Sequence, residues 1–208
     1  MKKLISMLLV LCLLAAYILV PGEILAASEY YASYSDVDKI SDYGSCTVMQ
    51  GLAVGSAKLY SVKIKSDNTQ AFLSMTDRET KETVKMTNAD DGGYYFDYLG
   101  HANDMDVTSY DGKSHLFIAT MTKGSNAVVR LKRSGTSITK FAGYSLSYNG
   151  SSISCSGIAI KSNSNGVITL ICKSGNNVYT GTVDASATST SSTTNENFTF
   201  FNSSSNYT

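Results

Sequence analysis

The polar residues of this sequence that could do chemistry recur at equal spacing. Gln50, Asn103 and Ser156 lie 53 positions apart, and His101 and Asp104 flank the middle one. An amide, a carboxylate and an imidazole in one place could recognise a sugar or a peptide, or supply a single general base. Alternatively, short polar side chains satisfy backbone groups where a strand begins. The sequence leaves both readings open for these ligand-binding candidates.

Other kinds of chemistry find less support. The chain has two histidines, His101 and His115, and no nucleophile motif, which argues against a catalytic triad or a zinc site. His115 begins a predicted strand beside Lys113, and we expect it to face solvent. The sequence names no catalytic residue; it leaves enzymatic activity open and favours a protein that is not an enzyme.

Carboxylates are concentrated around His101, and hard oxygen ligands of this kind could hold Ca²⁺. They are Asp90, Asp91, Asp97, Asp104 and Asp106. Their spacing is not that of an EF-hand loop, which favours a solvated acidic loop. We therefore predict no cofactor, with Ca²⁺ as the alternative and Asp104 and Asp106 as its candidate ligands.

The 53-residue spacing belongs to a repeated strand unit. Each unit starts with a polar-small-apolar-small-apolar segment that places two apolar side chains on one face of a strand. These pairs are Leu52 and Val54, Met105 and Val107, and Ile158 and Ile160. A turn with glycine, a more apolar strand and a further hairpin follow, and four strands per roughly 40–50 residues is typical of a β-propeller blade. The prediction is an all-β protein, a partial β-propeller of about three four-stranded antiparallel blades.

The N-terminus predicts export. Lys2 and Lys3 precede an apolar run over residues 4–20, and small residues end at Ala27 after a helix-breaking Pro21. This order is typical of a signal-peptide helix over residues 1–27, and an uncleaved membrane anchor is the alternative. We expect a secreted, extracellular protein with no stable membrane span. Without the signal peptide, the 17 basic and 17 acidic residues become 15 and 16, so no basic surface indicates nucleic acid as a partner.

The remaining chain divides into a propeller-like domain and a tail. Residues 28–184 contain units near 46–99, 100–152 and 153–184, and the tail over 185–208 is rich in Ser, Thr and Asn. Phe198-Thr199-Phe200-Phe201 within the tail looks like one strand, which could be the start of a missing blade. Because propellers have at least about four blades, the chain is either truncated or completed by another chain, for example by self-association through an unpaired blade edge.

Three cysteines follow the predicted signal peptide: Cys46, Cys155 and Cys172. A hairpin symmetric about Asn163 and Ser164 would place Cys155 opposite Cys172, at the separation a disulfide requires. We predict this bridge, with two small apolar residues on one face as the alternative. Cys46 is then unpaired.

The segment Gly100-His101-Ala102-Asn103-Asp104-Met105, followed by an apolar strand, resembles the helveticin J-like family of secreted Gram-positive bacteriocins and surface proteins. The resemblance covers residues 46–183 and implies a propeller-like fold. Asn103-Asp104 with Asp111-Gly112 is also similar to gluconolactonase-type propellers, in which an Asn-Asp pair lines a metal-containing pocket. Gln50 and Ser156 are neutral at the corresponding positions, which places that metal site in doubt.

These observations favour a secreted cell-surface or bacteriocin-like binding protein that acts on a cell-wall or carbohydrate ligand. The 14 tyrosines, including Tyr94-Tyr95, suit stacking on sugar rings, although tyrosine is also an ordinary strand residue. A lactonase-like metal-dependent hydrolase and a truncated propeller without its own activity are the alternatives. A binding protein would present an aromatic-lined face, and a metal enzyme would bring at least three ligands to one point.

Overall fold

The computed structural model describes residues 39–124 and 126–186, together with the backbone of two short strands at 196–199 and 202–205. The predicted signal peptide lies outside these residues. Within the described ranges the chain forms strands and turns, so the all-β prediction is confirmed. The same ranges contain no helix of the length and apolarity that crossing a membrane requires. The strands form three sheets, none of which closes on itself in the described part of the chain.

The first sheet is an antiparallel meander of four strands in the order β1-β2-β3-β4. Their bounds are β1 Cys46–Val54, β2 Lys58–Lys65, β3 Ala71–Asp77 and β4 Thr83–Lys85. Val62, Ile64 and Leu73 are fully buried or nearly so on one face of this sheet. Buried and exposed residues alternate from Gly51 to Val54 of β1, whereas β3 is buried at every position from Ala71 to Thr76 and is therefore covered on both faces.

The second sheet also starts as a meander, with neighbours in the order β6-β7-β8-β9-β10. Its strands are β6 Asp104–Tyr110, β7 Lys113–Ala119, β8 Val128–Ser134, β9 Ser137–Tyr148 and β10 Ser151–Ile153. The two-residue strand β5, Thr87–Asn88, pairs with β9 in parallel. Through this pairing, the segment that follows the first sheet is hydrogen-bonded to β9 of the second sheet.

The third sheet contains β11 Gly157–Ser164, β12 Val167–Ser174 and β13 Asn177–Asp184, paired antiparallel. The tail supplies two more strands. β14, Glu196–Thr199, pairs in parallel with β9, and β15, Asn202–Ser205, pairs antiparallel with β13 as the fourth strand of the third sheet. The described parts of the tail therefore extend the second and third sheets.

Residues 53 positions apart occupy the same place in the three sheets. Leu52, Met105 and Ile158 lie in β1, β6 and β11, each the first strand of the antiparallel meander in its sheet. Met105 belongs to a core cluster shared by the first and second sheets, and Ile158 to a cluster shared by the second and third. The repeat read from the sequence is a repeat of like strands.

The second sheet is buried on both of its faces. Alternate residues of β7 enter different clusters: Leu116 and Ile118 pack toward the first sheet, while Phe117 and Ala119 pack toward the third. A strand that is covered on both faces has apolar residues at consecutive positions. This explains why β7 is a continuous apolar run, whereas buried and exposed residues are mixed in β11.

The predicted disulfide joins Cys155 to Cys172, whose Cα atoms are 6.0 Å apart, and Cys46 is free and buried. The register used to predict it is wrong. The hairpin turns at Asn165-Gly166, and Cys172 pairs with Ile158 because the register shifts between Ile160 and Ser162. Cys155 reaches Cys172 from just before β11.

Candidate functional site

The chain at the start of β6 contacts the middle of β1 on one side and the start of β11 on the other. Asn103 Nδ2 donates a hydrogen bond to the carbonyl oxygen of Ser156 at 2.5 Å. On the other side of β6, a Cβ on Gly51, the neighbour of Gln50, would lie only 3.2 Å from the backbone of Asp104. Gln50 lies within β1, and Asn103 and Ser156 immediately precede β6 and β11, which neighbour each other.

His101 engages a different part of the molecule. Its Nδ1 lies 3.0 Å from Oδ1 of Asn68, in the turn between β2 and β3 of the first sheet. Ser156 also has a local partner, since its hydroxyl and its backbone N–H both donate to the carbonyl oxygen of Lys173. The imidazole and the Ser156 hydroxyl are therefore held by separate sheets.

Asp104 and Asp106 connect β6 to β11. Asp104 Oδ2 accepts the backbone N–H of Ile158 at 2.9 Å, and Asp106 Oδ2 accepts that of Ile160 at 2.7 Å. The second oxygen of each carboxylate accepts the N–H of the residue that follows the aspartate, at 2.9 and 2.7 Å. We call this set of contacts the β6–β11 seam. Both carboxylates therefore accept hydrogen bonds from backbone N–H groups, which is the second of the two interpretations that the sequence left open.

Among the described residues, no group of three or more His, Cys, Asp and Glu side chains is placed to hold a metal ion. The acidic residues predicted to crowd His101 separate into two places. Asp104 and Asp106 lie in the seam, whereas Asp90, Asp97 and Asp91 lie near Tyr98, whose pKa is raised by burial and, to a smaller extent, by their negative charges.

Removing the seam carboxylates is expected to loosen the contact between the second and third sheets. An Asp104→Asn or Asp106→Asn side chain keeps its size but loses one of two acceptor oxygens, so a backbone N–H loses its partner. We expect each substitution to lower the free energy of unfolding by about 1–2 kcal/mol in urea titrations. The same change at Asp111, in an exposed turn with φ 49°, is the matched control. Equal stability of all three variants would contradict this role.

Sequence reasoning missed a buried cationic cluster between the second and third sheets. Arg130 in β8 is fully buried, and its Nε donates to Nδ1 of His115 at 3.0 Å while Nη2 donates to the carbonyl oxygen of Ala185 at 3.0 Å. Its guanidinium lies 4.4 Å from the ring centre of Phe141 and 5.2 Å from that of Phe117. An arginine inside the apolar run Val-Val-Arg-Leu of β8 was the available signal.

The prediction that His115 faces solvent is wrong. The side chain is fully buried, because β7 is covered on both faces and His115 packs against Phe141 with ring centres 4.8 Å apart. Burial, together with the positive charges of Arg130 and Lys132, lowers the pKa of His115 to about 4. Within the described ranges, His115 Nε2 and Arg130 Nη1 are buried without a hydrogen-bond partner.

This low pKa predicts a loss of stability in mild acid. An unfolded chain protonates His115 near its ordinary value of 6.5, whereas the folded protein protonates it only near 4. Between these values the unfolded state binds more protons, so the free energy of unfolding falls as pH falls, by up to about 1.4 kcal/mol per pH unit. Urea unfolding measured from neutral pH downward checks this slope.

The matched variants are His115→Gln and His101→Gln. The first removes the titrating group and should flatten the dependence on pH, even if it lowers stability overall. The second leaves the buried imidazole in place and should retain the slope. An unchanged slope in His115→Gln would show that another group causes the acid sensitivity.

A cluster of aromatic rings lies at the β3–β4 side of the first sheet. Tyr43 contacts Phe72, Tyr95 and Tyr94 with ring centres 5.1, 5.2 and 5.3 Å apart, and the three tyrosines are partly exposed. Lys85 Nζ lies 4.5 Å from the ring centre of Tyr43. We call Tyr43, Tyr94, Tyr95 and Lys85 the tyrosine patch. Its rings offer apolar faces and polar tips to a ligand.

Two local features hold Tyr43 in the patch. Lys63 of β2 donates to Asp42 Oδ1 at 2.7 Å and to the carbonyl oxygen of Ile40 at 2.6 Å, which ties the preceding segment to the sheet. Gly44 follows with φ 54°, a left-handed conformation that glycine adopts without strain, and a Cβ there would push the Tyr95 hydroxyl aside.

A groove of about 270 Å³ adjoins the patch: it shares Lys85 with it and is lined by Phe72, which Tyr43 contacts. The other residues that line it are Lys39, Ser41, Asp42, Ser74, Thr83 and Val84. Hydroxyl, carboxylate and ammonium groups beside aromatic rings are the combination that polar ligands with apolar faces require.

Comparisons with known proteins do not show a family for this chain. No protein-family model matches the chain, and no curated protein matches it. One similar solved structure is hydrazine synthase from Kuenenia stuttgartiensis, with a TM-score of 0.39 and 18% sequence identity over 65% of this chain. The matched part is 34% of that protein, so this chain spans about a third of its length. A likeness this distant supports no inference about function.

Proposed function

We propose that this chain is an exported binding protein of the propeller type that recognises a cell-wall polysaccharide at a bacterial surface. The signal-peptide pattern and the resemblance to helveticin J-like proteins support export and a surface role. The Cys155–Cys172 bridge is consistent with an oxidising compartment. Three sheets whose first strands β1, β6 and β11 are neighbours are the arrangement that successive propeller blades require.

The tyrosine patch is the observation that carries the proposal. Partly exposed Tyr43, Tyr94 and Tyr95 stand beside a groove with polar walls. Sugar rings present C–H groups on one face and hydroxyls at their edges, so an aromatic face next to hydrogen-bonding groups suits them. Asp104 and Asp106, the carboxylates that the hydrolase alternative would use, are occupied by backbone N–H groups. This favours binding over metal-dependent hydrolysis.

Sedimentation with isolated Gram-positive cell walls tests the proposal. The chain should pellet with the walls, and Tyr94→Ser and Tyr43→Ser should each raise the dissociation constant by about tenfold, the change that a loss of about 1.4 kcal/mol of binding free energy produces. Tyr148→Ser is the control, because Tyr148 is partly exposed but packs against Tyr179 away from the patch. If the wild type does not bind, or if the patch variants bind as well as the control, the proposed function is wrong.

A further inference from the structure

The groove beside the tyrosine patch carries an excess of positive charge. Lys39 and Lys85 both line it and are exposed, and Asp42 supplies a carboxylate. That carboxylate is paired with Lys63, whose Nζ lies 2.7 Å from Asp42 Oδ1. Over these described residues, three ammonium groups accompany one carboxylate, in a chain whose formal net charge is zero. The positive charge is therefore a local feature of the groove and not a property of the whole protein.

Aromatic rings hold the ammonium group of Lys85 in place. Its Nζ lies 4.5 Å from the ring centre of Tyr43 and 5.5 Å from that of Tyr94. These contacts order a long side chain on the edge strand β4, but the uncharged rings do not cancel its positive charge. A ligand that packs on the tyrosine rings therefore meets a positioned cation at the same place.

Lysine supplies the positive charge of the groove, and no arginine lines it within the described part of the chain. An ammonium group acts as a point charge, which suits the oxygens of a phosphate group, whereas a planar carboxylate is matched best by the parallel N–H groups of arginine. The hydroxyl groups of Ser41, Ser74 and Thr83 also line the groove. They can contact a sugar or a polyol but cannot neutralise an anion, so that role falls to the lysines.

We propose that the groove binds a phosphodiester group of an anionic cell-wall polymer, while the tyrosine patch packs against the adjoining sugar or polyol unit. This inference rests on the proposed function and names the ligand class of the same site. The negative charge of such a polymer complements the local positive charge of the groove. Because Lys85 Nζ lies 4.5 Å from the Tyr43 ring centre, the cation and the ring can contact neighbouring groups of one polymer repeat.

Salt dependence of sedimentation with cell walls measures the contribution of charge. The dissociation constant should rise several-fold between about 0.01 M and 0.15 M salt, because the Debye length falls from about 30 Å to about 8 Å. Lys85→Gln should raise the constant about fivefold at the lower salt concentration and weaken its salt dependence, as expected when an exposed ion pair is lost. Lys85→Arg keeps the charge and should keep the salt dependence. Lys161→Gln is the control, because Lys161 is exposed in β11, outside the groove and the patch.

Lys39→Gln is a second variant, since Lys85 also contacts two rings of the patch. Lys39 lines the groove from a segment that precedes β1, so its substitution leaves the four members of the patch unchanged. It should raise the dissociation constant and weaken the salt dependence in the same direction as Lys85→Gln. Salt dependence equal to that of the wild type in both variants would overturn the proposal.

Removal of phosphodiester polymers from the walls separates this inference from the proposed function. Mild hydrofluoric acid cleaves phosphodiesters and leaves the peptidoglycan, so walls treated in this way should lose most of their capacity to bind the chain. Soluble poly(glycerol phosphate) should compete with untreated walls, whereas polygalacturonate, a carboxylate polymer, should compete only weakly at equal charge.

Each contrary result has a distinct meaning. Undiminished binding to the treated walls would show that the ligand is not a phosphodiester, which overturns this inference and leaves the proposed function intact. Equal competition by the two soluble polymers would show that the groove responds to negative charge alone and would overturn the assignment to phosphate. A wild type that binds neither the untreated walls nor poly(glycerol phosphate) would overturn both the inference and the proposed function.

Discussion

Arg130→Ala is expected to lower the free energy of unfolding by about 3–5 kcal/mol. Truncation would leave a cavity among Phe117, Phe141 and Tyr110, whose rings surround the guanidinium. It would also leave Nδ1 of His115 and the carbonyl oxygen of Ala185 without their donors inside the core. Urea unfolding followed by tyrosine fluorescence measures the loss.

A methionine at the same position separates packing from charge. Arg130→Met fills much of the volume and removes a buried cation that forms no salt bridge with a carboxylate in the described ranges. We expect its cost to be about 1–3 kcal/mol, that of the two lost hydrogen bonds, and therefore smaller than the cost of alanine. It should also raise the pKa of His115, since one of the charges that lower it is gone.

Arg133→Ala is the matched control in the same strand. Arg133 Nη1 donates to the carbonyl oxygen of Gly135 at 2.8 Å near an exposed turn, so its removal should cost less than about 1 kcal/mol. If Arg130→Ala and Arg133→Ala cost the same, the buried cluster does not stabilise the contact between the second and third sheets.

Loss of the Cys155–Cys172 bridge is the second large effect. The bridge joins residues 17 positions apart, and closing a loop of this size in the unfolded chain stabilises the folded protein by about 3 kcal/mol. Reduction, or the double substitution Cys155→Ala and Cys172→Ala, should lower the free energy of unfolding by that amount. Both sulphurs lie in the core cluster of the second and third sheets, so the alanines also remove some packing.

The Cys46→Ala variant tests whether the effect of the reductant comes from the Cys155–Cys172 bridge and not from Cys46. Cys46 is buried and unbridged, so this variant should lose the same stability on reduction as the wild type. The mass of the denatured protein should rise by two hydrogens when the bridge is reduced. A wild type whose mass and urea midpoint do not change with reductant would contradict the bridge.

The sequence by itself determined the local features of this protein. Alternation and the 53-residue spacing placed Leu52, Met105 and Ile158 in like strands, because side-chain periodicity reports the geometry of the strand that carries it. Asp111-Gly112 forms a turn with φ values of 49° and 64°, which these residue types tolerate. The cysteine pair was found although its register was wrong, because a disulfide tolerates a range of positions near the strand end.

Tertiary structure decided what each of these residues touches. The same apolar pattern is half exposed at Leu52 and buried at Ile158, because burial depends on a neighbouring sheet that is distant in sequence. His115 is buried for the same reason, and the carboxylates of Asp104 and Asp106 take their roles from backbone groups of β11, 54 residues away. A period in the sequence specifies the strand and its two faces, but the partner that covers each face is specified only when the sheets pack.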